Sequence, residues 1–75
     1  MKRLRIVDPD FEDIKKRLSN VKPDKIELIL INKKDNINEF AIIYYLVNKL
    51  NYRFESLTPI DEFNTKFLGH FKRKS

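Results

Sequence analysis

Ile26-Glu27-Leu28-Ile29-Leu30-Ile31 is a nearly unbroken apolar run with a single charge inside it. Its length and β-branched content favour a strand over a helix, and apolar side chains of both parities suit a strand buried on both faces, in the middle of a sheet. The flanking sequence supplies elements to pack around it. Upstream, Pro23-Asp24 turns the chain. Before that turn Phe11, Ile14, Leu18 and Val21 recur at spacings of three and four, the apolar stripe of a helix. Asp8-Pro9-Asp10 marks its start, with Asp8 as cap and Pro9 at the first helical position, and Asn20 is its expected C-terminal cap. Leu4 to Val7 reads as a short strand in which Leu4 and Ile6 alternate with Arg3 and Arg5.

Downstream, Asn32-Lys33-Lys34-Asp35 is a polar loop, and Asn36 with Glu39 has capping-box spacing. A second helix is expected from there to about Leu50, ended by Asn51 in a left-handed conformation. Tyr52, Phe54 and Ser56 alternate with Arg53 and Glu55 in a third strand. Leu57 to Asp61 is a connection. Phe63, Thr65, Phe67, Gly69 and Phe71 alternate with Asn64, Lys66, Leu68, His70 and Lys72 in a long fourth strand, and Lys72 to Ser75 is a basic tail. The order β-α-β-α-β-β, with right-handed crossovers, predicts an α+β two-layer sandwich: a four-stranded mixed sheet with two helices on one face. Residues 1–75 form one domain, small enough that a single core supplies only about 3–5 kcal/mol of net stability.

Composition narrows the chemistry. The 75 residues hold no cysteine and one glycine, which excludes thiol nucleophiles, thiolate metal sites, disulfides and a glycine-rich phosphate cradle. Asp8, Asp10, Glu12 and Asp13 cluster where a first helical turn favours acidic side chains, so they read as capping and dipole-complementing residues rather than as metal ligands. His70 is the single histidine and has no nucleophile motif beside it. The chain is therefore read as non-enzymatic, without cofactor or metal. Phe40 to Val47, the longest apolar run, is too short for a membrane span of about 20 residues. No signal-peptide core follows the basic Met1-Lys2-Arg3-Leu4-Arg5, so a cytoplasmic protein is expected.

Sixteen Lys and Arg against 11 Asp and Glu leave a net charge of +5, which favours a polyanionic partner such as RNA or DNA. With Leu4, Ile6, Tyr52, Phe54, Phe63, Phe67 and Phe71 turned to the helices, the open sheet face collects basic side chains around Ile29 and Ile31. The expected phosphate contacts are Arg3, Arg5, Arg53, Lys66, His70, Lys72, Arg73 and Lys74. The second helix is apolar over more than one stripe. Ile37, Phe40, Ala41, Tyr44 and Val47 make one face, and Ile42, Ile43, Tyr45, Leu46 and Leu50 widen it. That width points to a partner protein or a homodimer, docked through Ile42, Ile43, Tyr45 and Leu46.

In its element order, in Asp8-Pro9-Asp10-Phe11 and in the turn from Val21 into the second strand, the chain resembles the TusA/SirA-like family of small sulfur carriers. That family carries a Cys-Pro-x-Pro motif where the first strand enters the first helix. Here Pro9 matches, Asp8 stands at the cysteine position and Phe11 replaces the second proline. The resemblance implies the fold and a protein-docking adaptor without sulfur transfer, because a carboxylate cannot carry sulfane sulfur. The layout also resembles the C-terminal domain of bacterial translation initiation factor three, which implies a fold that can hold RNA.

Overall fold

The apolar run forms β2 (Lys25–Ile31) at the centre of a four-stranded sheet. The computed structural model describes residues 2–31 and 37–74. The other strands are β1 (Arg3–Val7), β3 (Tyr52–Pro59) and β4 (Lys66–Arg73), in the spatial order β1-β2-β4-β3. β1 and β2 are parallel, and β4 runs antiparallel to both β2 and β3. The helices are α1 (Phe11–Arg17) and α2 (Ile37–Tyr44), the latter continued by a π-helical turn over Tyr45–Lys49. The expected polar loop Asn32 to Asp35, the capping box at Asn36 and the Ile37 side chain lie outside the described residues.

One sheet face carries the core. Ile6, Ile26, Leu28, Leu30, Tyr52 and Phe71 all project from the same side of the sheet, and Ile14, Leu18, Ile42 and Leu46 meet them from the helices. Both helices therefore lie on that face, and the sandwich has two layers. Phe11 and Tyr45 join α1 to α2 edge-to-face, with ring centroids 5.3 Å apart. The Tyr52 hydroxyl donates to the Pro23 carbonyl at 2.7 Å, both residues being fully buried, and so ties the α1–β2 connection under β3. On the other face Ile29 and Ile31 are half-buried, so β2 is a central strand with one covered side.

Local chemistry moved several boundaries. The α1 cap is Asp10, not Asp8: Asp10 is extended and its Oδ1 accepts the Asp13 N–H at 2.8 Å. Asp8 instead adopts a left-handed conformation (φ 47°) and donates its N–H to Ile29 O, prolonging the β1–β2 ladder by one bond. α1 is capped at Leu18, not Asn20, and the Ser19 hydroxyl donates to the Lys16 carbonyl at 2.9 Å. Val21 then lies exposed, outside the stripe. Asn51 is left-handed (φ 62°), as expected at the end of the second helix.

The last hairpin departs furthest from the alternation pattern. Asp61 accepts the backbone N–H groups of Thr65 and Lys66 and the Thr65 hydroxyl, and Asn64 is left-handed (φ 56°). Those bonds fold 61–65 into a turn, so Phe63 is exposed at the hairpin tip instead of facing the helices. β4 starts three residues later than Phe63 and runs into the basic tail. The register shifts between Phe54 and Ser56, which moves Ser56 to the open face and turns Leu57 to the helix side.

Candidate anion-binding face

The open face is ordered in rows set by strand register. Arg3 pairs with Lys25, Lys25 with Lys72, and Lys72 with Arg53, so all four strands place a cation in one line. At the usual strand spacing this row is about 14 Å long. The next row is Arg5, Glu27, His70 and Ser56, and the third is Val7, Ile29, Leu68 and Thr58. Lys66 pairs with Ile31 at the far end of β4, roughly 20 Å along the strand from Lys72.

The first row is unfavourable on its own terms. Like charges directly opposite one another on a sheet repel, and the row contains three such pairs in succession. Among the described residues no carboxylate makes an ion pair with Lys25, Lys72 or Arg53. Arg3 is shared with Glu27, whose carboxylate lies 3.2 Å from Arg3 Nε and 3.0 Å from Arg5 Nη2. The Glu27 side chain is only 8% exposed, and its Oε1 has the Arg3 charge beside it but no hydrogen bond. The Arg5 hydrogen bond, together with the charges of Arg5, Arg3 and His70, holds the Glu27 carboxyl below its ordinary value of 4.5 against the opposing effect of burial.

Of the eight expected phosphate contacts, Arg3, Arg53 and Lys72 therefore stand in one row, Arg5 and His70 in the row beside it. Lys66 is remote from both. Arg73 pairs with Tyr52 on the helix side, and its guanidinium binds Asp24 at 2.7 Å and the Lys22 carbonyl at 3.0 Å. Lys74 joins Arg53, Lys72 and Arg73 around a depression of about 320 Å³ at the β3 end of the row. A smaller one of about 160 Å³ nearer the middle is lined by Arg3, Lys25, Glu27, Glu55 and His70, among others. Lys25 was missed by the sequence reading, which began the strand at Ile26. Its parity with Ile29 and Ile31, both assigned to the open face, is the signal that would have found it.

The second helix presents other residues than expected. Ile42 and Leu46 are 0% exposed, and Ile43 and Tyr45 are half-buried against the core, so these four are packing residues. Phe40 and Tyr44, one turn apart, are the exposed ones, at 73% and 60%. Their assignment is inverted because helix periodicity alone cannot say which side of an all-round apolar helix meets the sheet.

A depression of about 400 Å³ between α1 and α2 is lined by Asp10, Phe11, Glu12 and Ala41. Its acidic lining disfavours anions, and Asp10 is committed to the α1 cap. Among the described residues no cluster of three or more His, Asp or Glu could hold a metal, and no helix is long and apolar enough to cross a membrane. The chain matches no family model, no curated protein and no solved structure.

Proposed function

We propose that the chain is a non-enzymatic cytoplasmic module that binds RNA or DNA across the open sheet face. The observation that carries this reading is the cation row Arg3–Lys25–Lys72–Arg53. A line of mutually repelling, ion-pair-poor cations lowers the stability of the sheet and is relieved by a polyanion laid along it. Contacts of this kind position a phosphate backbone without reading base sequence. Arg5 and His70 lie in the next row, between the cations and the aliphatic strip of Val7, Ile29 and Leu68.

The test is fluorescence anisotropy with single- and double-stranded RNA and DNA at several salt concentrations. Binding weakens with salt, and Lys25→Gln and Lys72→Gln each reduce the log–log salt slope by about 0.7–0.9, the contribution of one phosphate contact. Lys66→Gln, away from the row, leaves the slope nearly unchanged. Absence of binding at low salt refutes the reading.

A second reading is favoured by the exposed Phe40–Tyr44 stripe: a protein-docking adaptor, or a homodimer, of the kind the sulfur-carrier resemblance implies. Binding through that stripe would be insensitive to salt and lost in Tyr44→Ser.

A further inference from the structure

The two ends of the cation row differ. At the β1 end and in the middle, the row borders carboxylates: Glu27 takes Arg3 and Arg5, and Glu55 lines the same central depression as Glu27 and Lys25. At the β3 end the depression of about 320 Å³ is lined by Arg53, Lys72, Arg73 and Lys74, with no carboxylate among the described residues that line it. That volume is at the lower end of small-ligand sites. We infer that this depression is a site for a terminal phosphate, the phosphomonoester at the end of a nucleic-acid chain whose diester backbone lies on the row. The inference rests on the nucleic-acid reading above and gives that reading a polarity and an end preference.

Charge and backbone geometry argue for it together. An internal phosphodiester carries one negative charge, whereas a terminal phosphomonoester carries about −1.5 to −2 at neutral pH and has three acceptor oxygens. Asp24 is already taken up by Arg73, and the other three lining cations, Arg53, Lys72 and Lys74, make the β3 end the place where the extra charge is best stabilised. The Arg73 guanidinium is committed to Asp24 and Lys22, so the free donors are Arg53, Lys72 and Lys74. Their backbone is held in place. Arg53 and Lys72 are ladder partners, the Arg73 N–H binds Asp24 O at 2.8 Å, and the Lys74 N–H binds Asn51 O at 3.2 Å, at the left-handed residue just before β3. An arginine fork and two ammonium groups on tied backbone suit a compact, multiply charged anion better than an extended one.

The experiment compares single-stranded oligonucleotides of one sequence, labelled at one end and bearing either a phosphate or a hydroxyl at the other. Phosphorylated ends bind more tightly by on the order of tenfold at low salt, the effect of one charge-assisted contact. The preference shrinks as pH falls below about 6, where the phosphate loses its second charge. Arg53→Gln brings the ratio close to one. Lys25→Gln, outside the depression, weakens both oligonucleotides and preserves the ratio. Equal affinities for the two ends in the wild-type protein overturn the terminal site and leave the row reading standing. If neither oligonucleotide binds, the row reading fails, and titration with inorganic pyrophosphate then decides the site. Saturable shifts of the Arg53, Lys72 and Lys74 amide resonances uphold it as a small-phosphate site, and their absence overturns it.

Discussion

The two faces of this sheet are made by the same strands and solve opposite problems. On the helix side each row joins apolar residues, buried or half-buried except at the β3 edge, where Phe54 and Leu57 are exposed: Leu4, Ile26, Phe71 and Phe54 in one, Ile6, Leu28, Gly69 and Leu57 in the next. One residue away along each strand, the open face lines up four cations that repel. Folding explains the first arrangement and is opposed by the second. A chain with little stability in reserve keeps an unfavourable row where something other than folding requires it.

The contrast breaks most visibly at adjacent residues of β2. Leu28 is fully buried, and Leu28→Ala is expected to cost about 2–5 kcal/mol, enough to unfold a domain of this size. Ile29 is half-buried on the open face, and Ile29→Ala is expected to cost only about 1 kcal/mol. Denaturant titrations of the two variants separate these values. Equal losses would mean that the open face is covered in solution, and the anion-binding assignment would fall with it.

Tyr52 tests how the helix-side layer is closed at the β3 edge. Tyr52→Phe leaves the buried Pro23 carbonyl without its donor and is expected to cost about 1–3 kcal/mol. Burial raises the Tyr52 phenol above its ordinary value of 10.0, with the Arg73 charge pulling the other way and Asp24 adding to the rise. The folded state thus favours the neutral phenol. Its contribution is intact below pH 10.0, the ordinary value, and is lost as pH rises from there through the raised one. Thermal melts through that range should therefore converge for wild type and Tyr52→Phe. A constant gap would mean that the phenol ionises freely and is not held as described.

How far each face was legible in the sequence follows from what sets it. β2 was legible because Ile and Leu at both parities leave little choice of element. The α1 stripe was legible because only one side of that helix is apolar. α2 was misread because Phe40, Ile42, Tyr44 and Leu46 are all apolar, and the sheet, not the helix, decides which of them are buried. Phe63 was misread because its alternation with Phe67 and Phe71 suggests a strand, while the Asp61 carboxylate binding three donors makes a turn. The cation row was legible only in part. Arg3, Arg53 and Lys72 were placed on the open face by alternation, but their alignment depends on register between strands far apart in the chain, and Lys25 fell just outside the expected strand.

Lys72 sharpens the contrast because it faces a cation on each side. Lys72→Thr removes two repulsive pairs and introduces a good strand former, so the fold should gain roughly 0.5–1 kcal/mol while oligonucleotide affinity falls. Opposite signs in a melt and a binding titration are the signature of a residue retained for binding. A loss of stability would mean that the Lys72 stem packs favourably enough to justify its place without a ligand.

The smallest expected stability effect is at Glu27, the carboxylate that pairs with Arg3 and Arg5 within the basic face. Its folded carboxyl is held below 4.5, so its contribution to stability is present above that value and is lost as pH falls through the depressed one. Glu27→Gln is therefore expected to be slightly less stable than wild type at pH 7 and equal to it in strong acid. The loss stays small because Arg3 and Arg5 are largely exposed and water solvates them when the carboxylate is removed. Binding should move the other way. Glu27 occupies the two guanidiniums at the β1 end as a phosphate would, so Glu27→Gln is expected to raise affinity for single-stranded nucleic acid several-fold at low salt and to steepen the salt dependence. Unchanged affinity would show that the β1 end takes no part and would confine the interface to Lys25, Lys72 and Arg53. Reduced affinity would mean that Glu27 positions Arg3 and Arg5 for the ligand instead of competing with it.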